Sequence, residues 1–287
     1  MNIIESEIHK NFDKNDIHMY LNVGLRNEAT KYINKIVNSY VPQVPITHTQ
    51  EELDTLNKDG FIKFDNYLNK NEIDNILFYL KNKQGYNAHV AKYSDKKLRN
   101  WDDSYEYSTF SYEPNVLLQN NTILDKLIDP HIVSLAQSYL GSFPTMYSIN
   151  CWWHKIKGGI YGTQNNHRDH DDFKFLAFFI YLTDIDESNG PHVYYSRTKD
   201  GEENGKENVI TGKAGTAILA DTFAIHRGQP LQQGNRLLVW WRYGLYLNNM
   251  HFHDGNNNFK ISKETLFDII PKTPHNEYMF RGFYEKN

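Results

Sequence analysis

Downstream of Gly141 the chain alternates between strand-like runs and glycine turns, and that pattern leaves few folds open. The runs are Thr145 to Ile156, Lys174 to Leu182, His192 to Tyr195, Thr216 to Ala220 and Leu237 to Tyr246. They are rich in aromatic and β-branched residues, which suit a pleated, half-buried surface. Gly158-Gly159, Asn189-Gly190-Pro191, Gly201, Gly212, Gly215, Gly228 and Gly234 separate them. Many short strands with glycine-rich turns point to a sandwich or barrel, with its β core over 143–248.

The residues before this core read differently. Ala29, Ile33, Ile36, Val37 and Tyr40 recur at helical spacing, and Pro42 ends that run. Thr49-Gln50-Glu51-Glu52 has the pattern of a capping box, with Gly60 as the stop and Phe61 to Phe64 as a strand. Asn69 caps a helix with Ile73, Ile76, Leu77 and Leu80 on one face. Thr122 and Asp129-Pro130 mark two more helix starts, and 86–115 has no clear period. The expected organisation is one domain over 1–287. Residues 1–142 form a mostly helical support, 143–248 the core, and 249–287 a C-terminal extension with a short helix over Thr265 to Ile270. No Ser/Gly/Pro linker near position 140 separates independent modules.

Composition narrows the function. Net charge is −4 and there is no basic run, so nucleic acid is not an expected partner. No apolar run reaches the roughly 20 residues of a membrane span, and Met1 to Glu7 lacks the features of a signal peptide. A soluble, cytoplasmic protein is expected. With Cys151 the sole cysteine, neither an internal disulfide nor a thiolate-rich zinc site can form. Its apolar surroundings make it a buried small residue.

The 13 histidines leave imidazole-based metal binding open. His167 and Asp169 stand at i and i+2, so an extended backbone places both on one side. His226 follows Ala217 to Ala220, and Arg236 opens the apolar run Leu237 to Trp241. A hairpin back from His226 would bring Arg236 near it. Two imidazoles and one carboxylate on one face of a metal form the facial triad of non-haem Fe(II) oxygenases. The same donors could hold Mn, Co, Ni or Zn, and affinity alone does not favour iron. A second His-x-Asp, His170 to Asp172, is offset by three and would face the other way. His170 and Asp171 are expected in a solvated loop.

The run His167-Arg168-Asp169-His170-Asp171-Asp172-Phe173 resembles the phytanoyl-CoA dioxygenase-like (PhyH) family, as do Ile180 to His192 and Thr222 to Gly228 with Arg236 to Val239. Asn57 to Phe61, then Leu68 and Ile73, resemble that family's N-terminal opening. The resemblance spans about residues 50–248. It implies a double-stranded β-helix (jelly roll, cupin-like) with flanking helices, and it selects His167 and Asp169 over the second pair. It further implies Fe(II) on His167, Asp169 and His226, 2-oxoglutarate as co-substrate with Arg236 on its distal carboxylate, and O2. The expected reaction is hydroxylation of a C–H bond with release of succinate and CO2. Related halogenases lack the carboxylate that Asp169 supplies. Where the family often has a Pro-Gly-Ser-His turn, this chain has Tyr194-Tyr195-Ser196-Arg197, and its first 45 residues match nothing in the family. No basic cluster suits a CoA phosphate, so a small metabolite is the expected substrate. Trp101, Tyr105, Tyr107, Phe110, Trp152 and Trp153 are candidates for pocket or core, and Lys92 and Asn150 for co-substrate contacts. A non-catalytic jelly-roll protein that binds a small molecule or sugar is the alternative, because such folds host both.

Overall fold

The computed structural model describes residues 2–10, 21–89, 97–103, 107–156, 162–245 and 262–283. Lys92, Tyr105, Gly158-Gly159 and Tyr246 lie outside them. The helices are α1 (Asn2–His9), α2 (Val23–Tyr40), α3 (Gln50–Asp59), α4 (Lys70–Lys81), α5 (Pro114–Leu118), α6 (Asn121–Leu127), α7 (Pro130–Leu140), α8 (Lys263–Ile269) and α9 (Pro274–Met279). The strands are β1 (Phe61–Phe64), β2 (Tyr86–Asn87), β3 (Thr109–Ser111), β4 (Thr145–Lys155), β5 (Phe175–Tyr181), β6 (His192–Ser196), β7 (Lys206–Ile210), β8 (Ala217–Ala220), β9 (His226–Gly228) and β10 (Asn235–Gly244).

Local chemistry sets the helix ends. The Thr49 hydroxyl accepts from the Glu52 N–H while the Glu52 carboxylate accepts from the Thr49 N–H, closing the expected capping box of α3. Gly60 then stops the helix at φ 83, a left-handed conformation open to glycine. Asn69 and Glu72 repeat the box at α4. Helix α6 begins just before the expected Thr122, because Asn120 is the residue whose side chain caps it.

Among the described residues the strands form a seven-stranded antiparallel sheet in the order β1-β8-β5-β10-β4-β3-β2 and a three-stranded sheet in the order β7-β6-β9. Strand β7, Lys-Glu-Asn-Val-Ile, escaped the sequence reading because it is an exposed edge with charged residues in place of an apolar run. The long central strand β10 pairs with β4 on one side and β5 on the other. Side chains alternate along it. Leu237, Val239, Trp241 and Tyr243 join Ile149, Cys151, Trp153, Leu176 and Phe178 in a core that also takes in the helices. Leu238 and Trp240 face the other way. They meet Tyr181, Ile218, Tyr194 and Ile210 between the two sheets.

The β-rich architecture with helices on one sheet is the expected one. One step in the sequence reading fails. β9 belongs to the small sheet and β10 to the large one, so no hairpin joins His226 to Arg236. Just after β6, Arg197 takes φ 67, a left-handed conformation that favours glycine.

Candidate metal centre

His167, Asp169 and His226 converge. The backbones of His167 and His226 exchange both hydrogen bonds at 3.0 Å, so the loop carrying His167 extends the small sheet beside β9. The Asp169 N–H donates to the Thr222 carbonyl at 2.9 Å, which fixes the third side chain on the same rim. One candidate donor atom from each residue lies within 4.8 Å of the others. His167 Nε2 is 3.6 Å from Asp169 Oδ1, and His226 Nε2 is 3.6 Å from Asp169 Oδ2.

The ring orientations suit a cation. His167 Nδ1 lies 2.8 Å from the Asn165 carbonyl and His226 Nδ1 2.9 Å from the Ala224 carbonyl. A carbonyl only accepts, so both Nδ1 atoms carry the proton and both Nε2 lone pairs point to the shared space. Backbone acceptors behind metal-binding imidazoles are a common way to set this tautomer. Burial disfavours charge on Asp169, yet opposing charge, the Arg242 guanidinium foremost, holds the carboxyl below its usual range. Burial also pushes the His226 imidazole down, against the pull of Asp169, which favours the neutral ring that a metal needs. Two imidazole nitrogens and one carboxylate oxygen are a donor set that fits a divalent ion.

Arg236 approaches β9 from the opposite sheet. It sits on β10 across from His154, and its Nη1 donates to the Gly190 carbonyl. A Cβ on Gly228 would lie 3.3 Å from Arg236 Nη2, so only glycine leaves ordinary room for the guanidinium there. Gly228 is two positions beyond His226 on β9, on the same face and about 7 Å along the strand. His192, opposite Gly228 on β6, lines the interval, with its ring 5.5 Å from that of His226. Burial lowers the Arg236 pKa to about 10, so it remains a cation at neutral pH. Among the described residues it has no carboxylate partner.

Several contributors escaped the sequence reading. Arg242 Nη2 donates to Asp169 Oδ2 at 2.8 Å, and its Nε ion-pairs with Asp171 Oδ2 at 2.5 Å. Asp171 is thus a buried, paired residue and not the solvated one expected. Its i, i+2 spacing from Asp169 is the signal that could have placed both on one face. Asp172 is fully buried and His170 packs on Phe223, so the second His-x-Asp stays off the cluster, as its odd offset implied. From the unplaced N-terminal region, Arg26 donates to the Asp172 carbonyl at 2.9 Å and lies 3.7 Å from the Phe223 ring centroid. It braces both ligand-bearing loops from outside.

Of the aromatic candidates, Phe110 and Trp153 belong to the helix-side core, with Trp101 and Tyr107 packed against it. Trp152 instead lies between the sheets, 5.2 Å from Trp240. Asn150 shares its face of β4 by parity. Cys151 is buried, and burial pushes its thiol up, leaving it inert.

No family model matches the chain, the phytanoyl-CoA dioxygenase-like one included, and no curated protein matches it. Solved structures do. The non-haem α-ketoglutarate-dependent epimerase SnoN from nogalamycin biosynthesis aligns with TM-score 0.51 at 15% identity, covering 68% of this chain and 81% of its own. EctD from S. alaskensis with bound Fe aligns with TM-score 0.51 at 14% identity, covering 71% and 80%. HygX from Streptomyces hygroscopicus with nickel and 2-oxoglutarate bound aligns with TM-score 0.50 at 12% identity, covering 68% and 87%. At such identities the likeness establishes the fold. This chain has the jelly-roll core with flanking helices that these non-haem 2-oxoglutarate-dependent proteins share.

Proposed function

We propose that this chain is a non-haem Fe(II)- and 2-oxoglutarate-dependent dioxygenase that hydroxylates a C–H bond of a small molecule, releasing succinate and CO2. The observation that carries the reading is the His167–Asp169–His226 cluster with, against Gly228 two positions beyond His226, a buried guanidinium that has no carboxylate partner among the described residues. His167, Asp169 and His226 would hold the metal through Nε2, one carboxylate oxygen and Nε2. The iron, when bound, supplies the oxygen-activating redox chemistry, which no side chain here can provide.

The remaining roles belong to the chain. Arg236 pairs with the far carboxylate of 2-oxoglutarate, a charge-assisted contact suited to a planar guanidinium. That pairing relieves the cost of a buried lone cation. Phe179, His192 and Trp240 wall the space between the sheets and keep bulk water from the co-substrate. The Nδ1 protons on the Asn165 and Ala224 carbonyls keep both imidazoles in the binding tautomer. A small-molecule substrate is consistent with HygX, whose structure has also been determined with hygromycin B, and with EctD, determined with 5-hydroxyectoine. The epimerase among the neighbours shows that this fold hosts other outcomes; the carboxylate of Asp169 argues against halogenation and leaves desaturation and ring formation as the competing outcomes.

The test is succinate release from 2-oxoglutarate by the purified protein with Fe(II), alongside calorimetric binding of Co(II). Wild type should bind one metal and turn over the co-acid. His167→Ala should lose at least ~100-fold of both, in line with loss of one of three ligands, and still fold. A folded wild-type protein that binds no divalent transition metal would end the proposal.

A further inference from the structure

The imidazoles do not decide which oxygen of Asp169 meets the metal. Oδ1 stands 3.6 Å from His167 Nε2, and Oδ2 stands 3.6 Å from His226 Nε2. A carboxylate free in this position can grip a cation with both oxygens. That grip would close one of the coordination positions that the facial arrangement leaves open for co-substrate and O2. We propose that Arg242 is a positioning residue that occupies Asp169 Oδ2 and so restricts Asp169 to one oxygen on the metal. The proposal rests on the metal site described above.

Four features carry it. Arg242 Nη2 donates to Asp169 Oδ2 at 2.8 Å, a charge-assisted bond to that one oxygen. The guanidinium is held at a second nitrogen too, because Nε ion-pairs with Asp171 Oδ2 at 2.5 Å. Its third constraint is the Trp240 ring, 4.7 Å below the guanidinium carbon. Its backbone is paired on both sides, with Ser148 of β4 and Ala177 of β5, just before the register shift to Tyr243 on the β4 side. A lysine at 242 could supply the charge but not the planar pair of nitrogens that spans Asp169 and Asp171.

Inner-sphere water on Mn(II), read by water-proton relaxation, distinguishes one oxygen from two. A six-coordinate Mn(II) held by three donor atoms keeps about three exchangeable waters, and a fourth donor atom leaves about two. Wild type should show the higher value per bound ion, and Arg242→Gln should fall by about a third while binding Mn(II) within ~10-fold of wild type. Arg242→Lys should lie between them, and Asp171→Asn, which frees one nitrogen of the pair, should move in the same direction by less. A merely structural role would lower Tm and leave the water count untouched. Unchanged relaxation per bound Mn(II) in Arg242→Gln overturns the proposal, as does loss of Mn(II) affinity beyond ~100-fold. If that variant does not fold, unchanged relaxation in Asp171→Asn overturns it. Failure of wild type to bind Mn(II), by contrast, overturns the metal site itself.

Discussion

The two faces of β10 follow different rules. Towards the helices it presents Leu237, Val239, Trp241 and Tyr243, each fully buried and packed into the main core. Towards the small sheet it presents Arg236, Leu238, Trp240 and Arg242, with two guanidiniums out of solvent. Its neighbour β4 repeats the division, with Ile149, Cys151 and Trp153 on one side and Ser148, Asn150, Trp152 and His154 on the other. One face is built as a hydrophobic layer and stabilises the fold. The other accepts the cost of buried charge, which a purely structural sheet would avoid. The two arginines sharpen the contrast. Arg242 is paired with Asp169 and Asp171, whereas among the described residues Arg236 finds the Gly190 carbonyl and a weak 3.4 Å contact to His154. A buried cation without an acid suits a cavity that receives one from a ligand.

The largest test of the asymmetry is on the helix face. Trp241 is fully buried against Phe178, with ring centroids 5.0 Å apart. Trp241→Ala should cost about 3–5 kcal/mol of unfolding free energy by urea denaturation, the usual loss for a large aromatic in a core. A cost no greater than that of inner-face changes would mean that the two faces share the stabilising role.

Arg236→Leu should do the opposite. It exchanges an unpaired buried cation for an apolar side chain, so stability should hold or rise slightly. Affinity for 2-oxoglutarate should fall by about 100-fold, from loss of a charge-assisted contact of roughly 2–3 kcal/mol. Arg236→Lys should recover part of it. Calorimetry with Co(II) present reads the affinity, and an unchanged Kd in Arg236→Leu would remove this residue from the co-substrate site.

How much of this was legible beforehand follows from the range of the interactions. The capping box at Thr49 and the cap at Asn69 span three residues, and they were read correctly because the whole signal is local. The pair His167 and Asp169 was legible for the same reason, since parity along an extended segment fixes their common side. His226 and Arg236 were named from their order along the chain, but the route that brings them together was misjudged. A hairpin is a local guess, whereas the sheet to which β10 belongs depends on its pairing with β4 and β5. Arg242 was missed although its even offset from Arg236 put it on the cavity face. Its meaning depends on Asp169, 73 positions away, and nothing local marks that contact. Arg26 is more distant still, 146 positions from the carbonyl it holds. The sealed face of β10 announced itself as an apolar run, and the chemical face required the fold.

The smallest expected effect concerns the inner face of β4. His154 is held well below the ordinary imidazole value of 6.5, first by burial and then by Arg236 and His89. It therefore folds neutral. As pH falls below about 6.5 the unfolded chain takes up a proton at this position that the folded chain refuses, so the unfolded state binds more protons and stability declines with acidity. Above that value the contribution is constant. Other groups titrate in acid too, so the informative quantity is a difference. His154→Gln keeps a polar, uncharged side chain across from Arg236 and removes the titration. Its Tm should fall less than that of wild type between about pH 7 and pH 5. The Arg236→Leu variant should move wild-type behaviour the same way, though by less, because it removes the second cause and leaves the burial. If His154→Gln and wild type lose stability in parallel over that window, the inner face admits protons as freely as the surface does, and the division between the two sides of the sheet is weaker than its residues suggest.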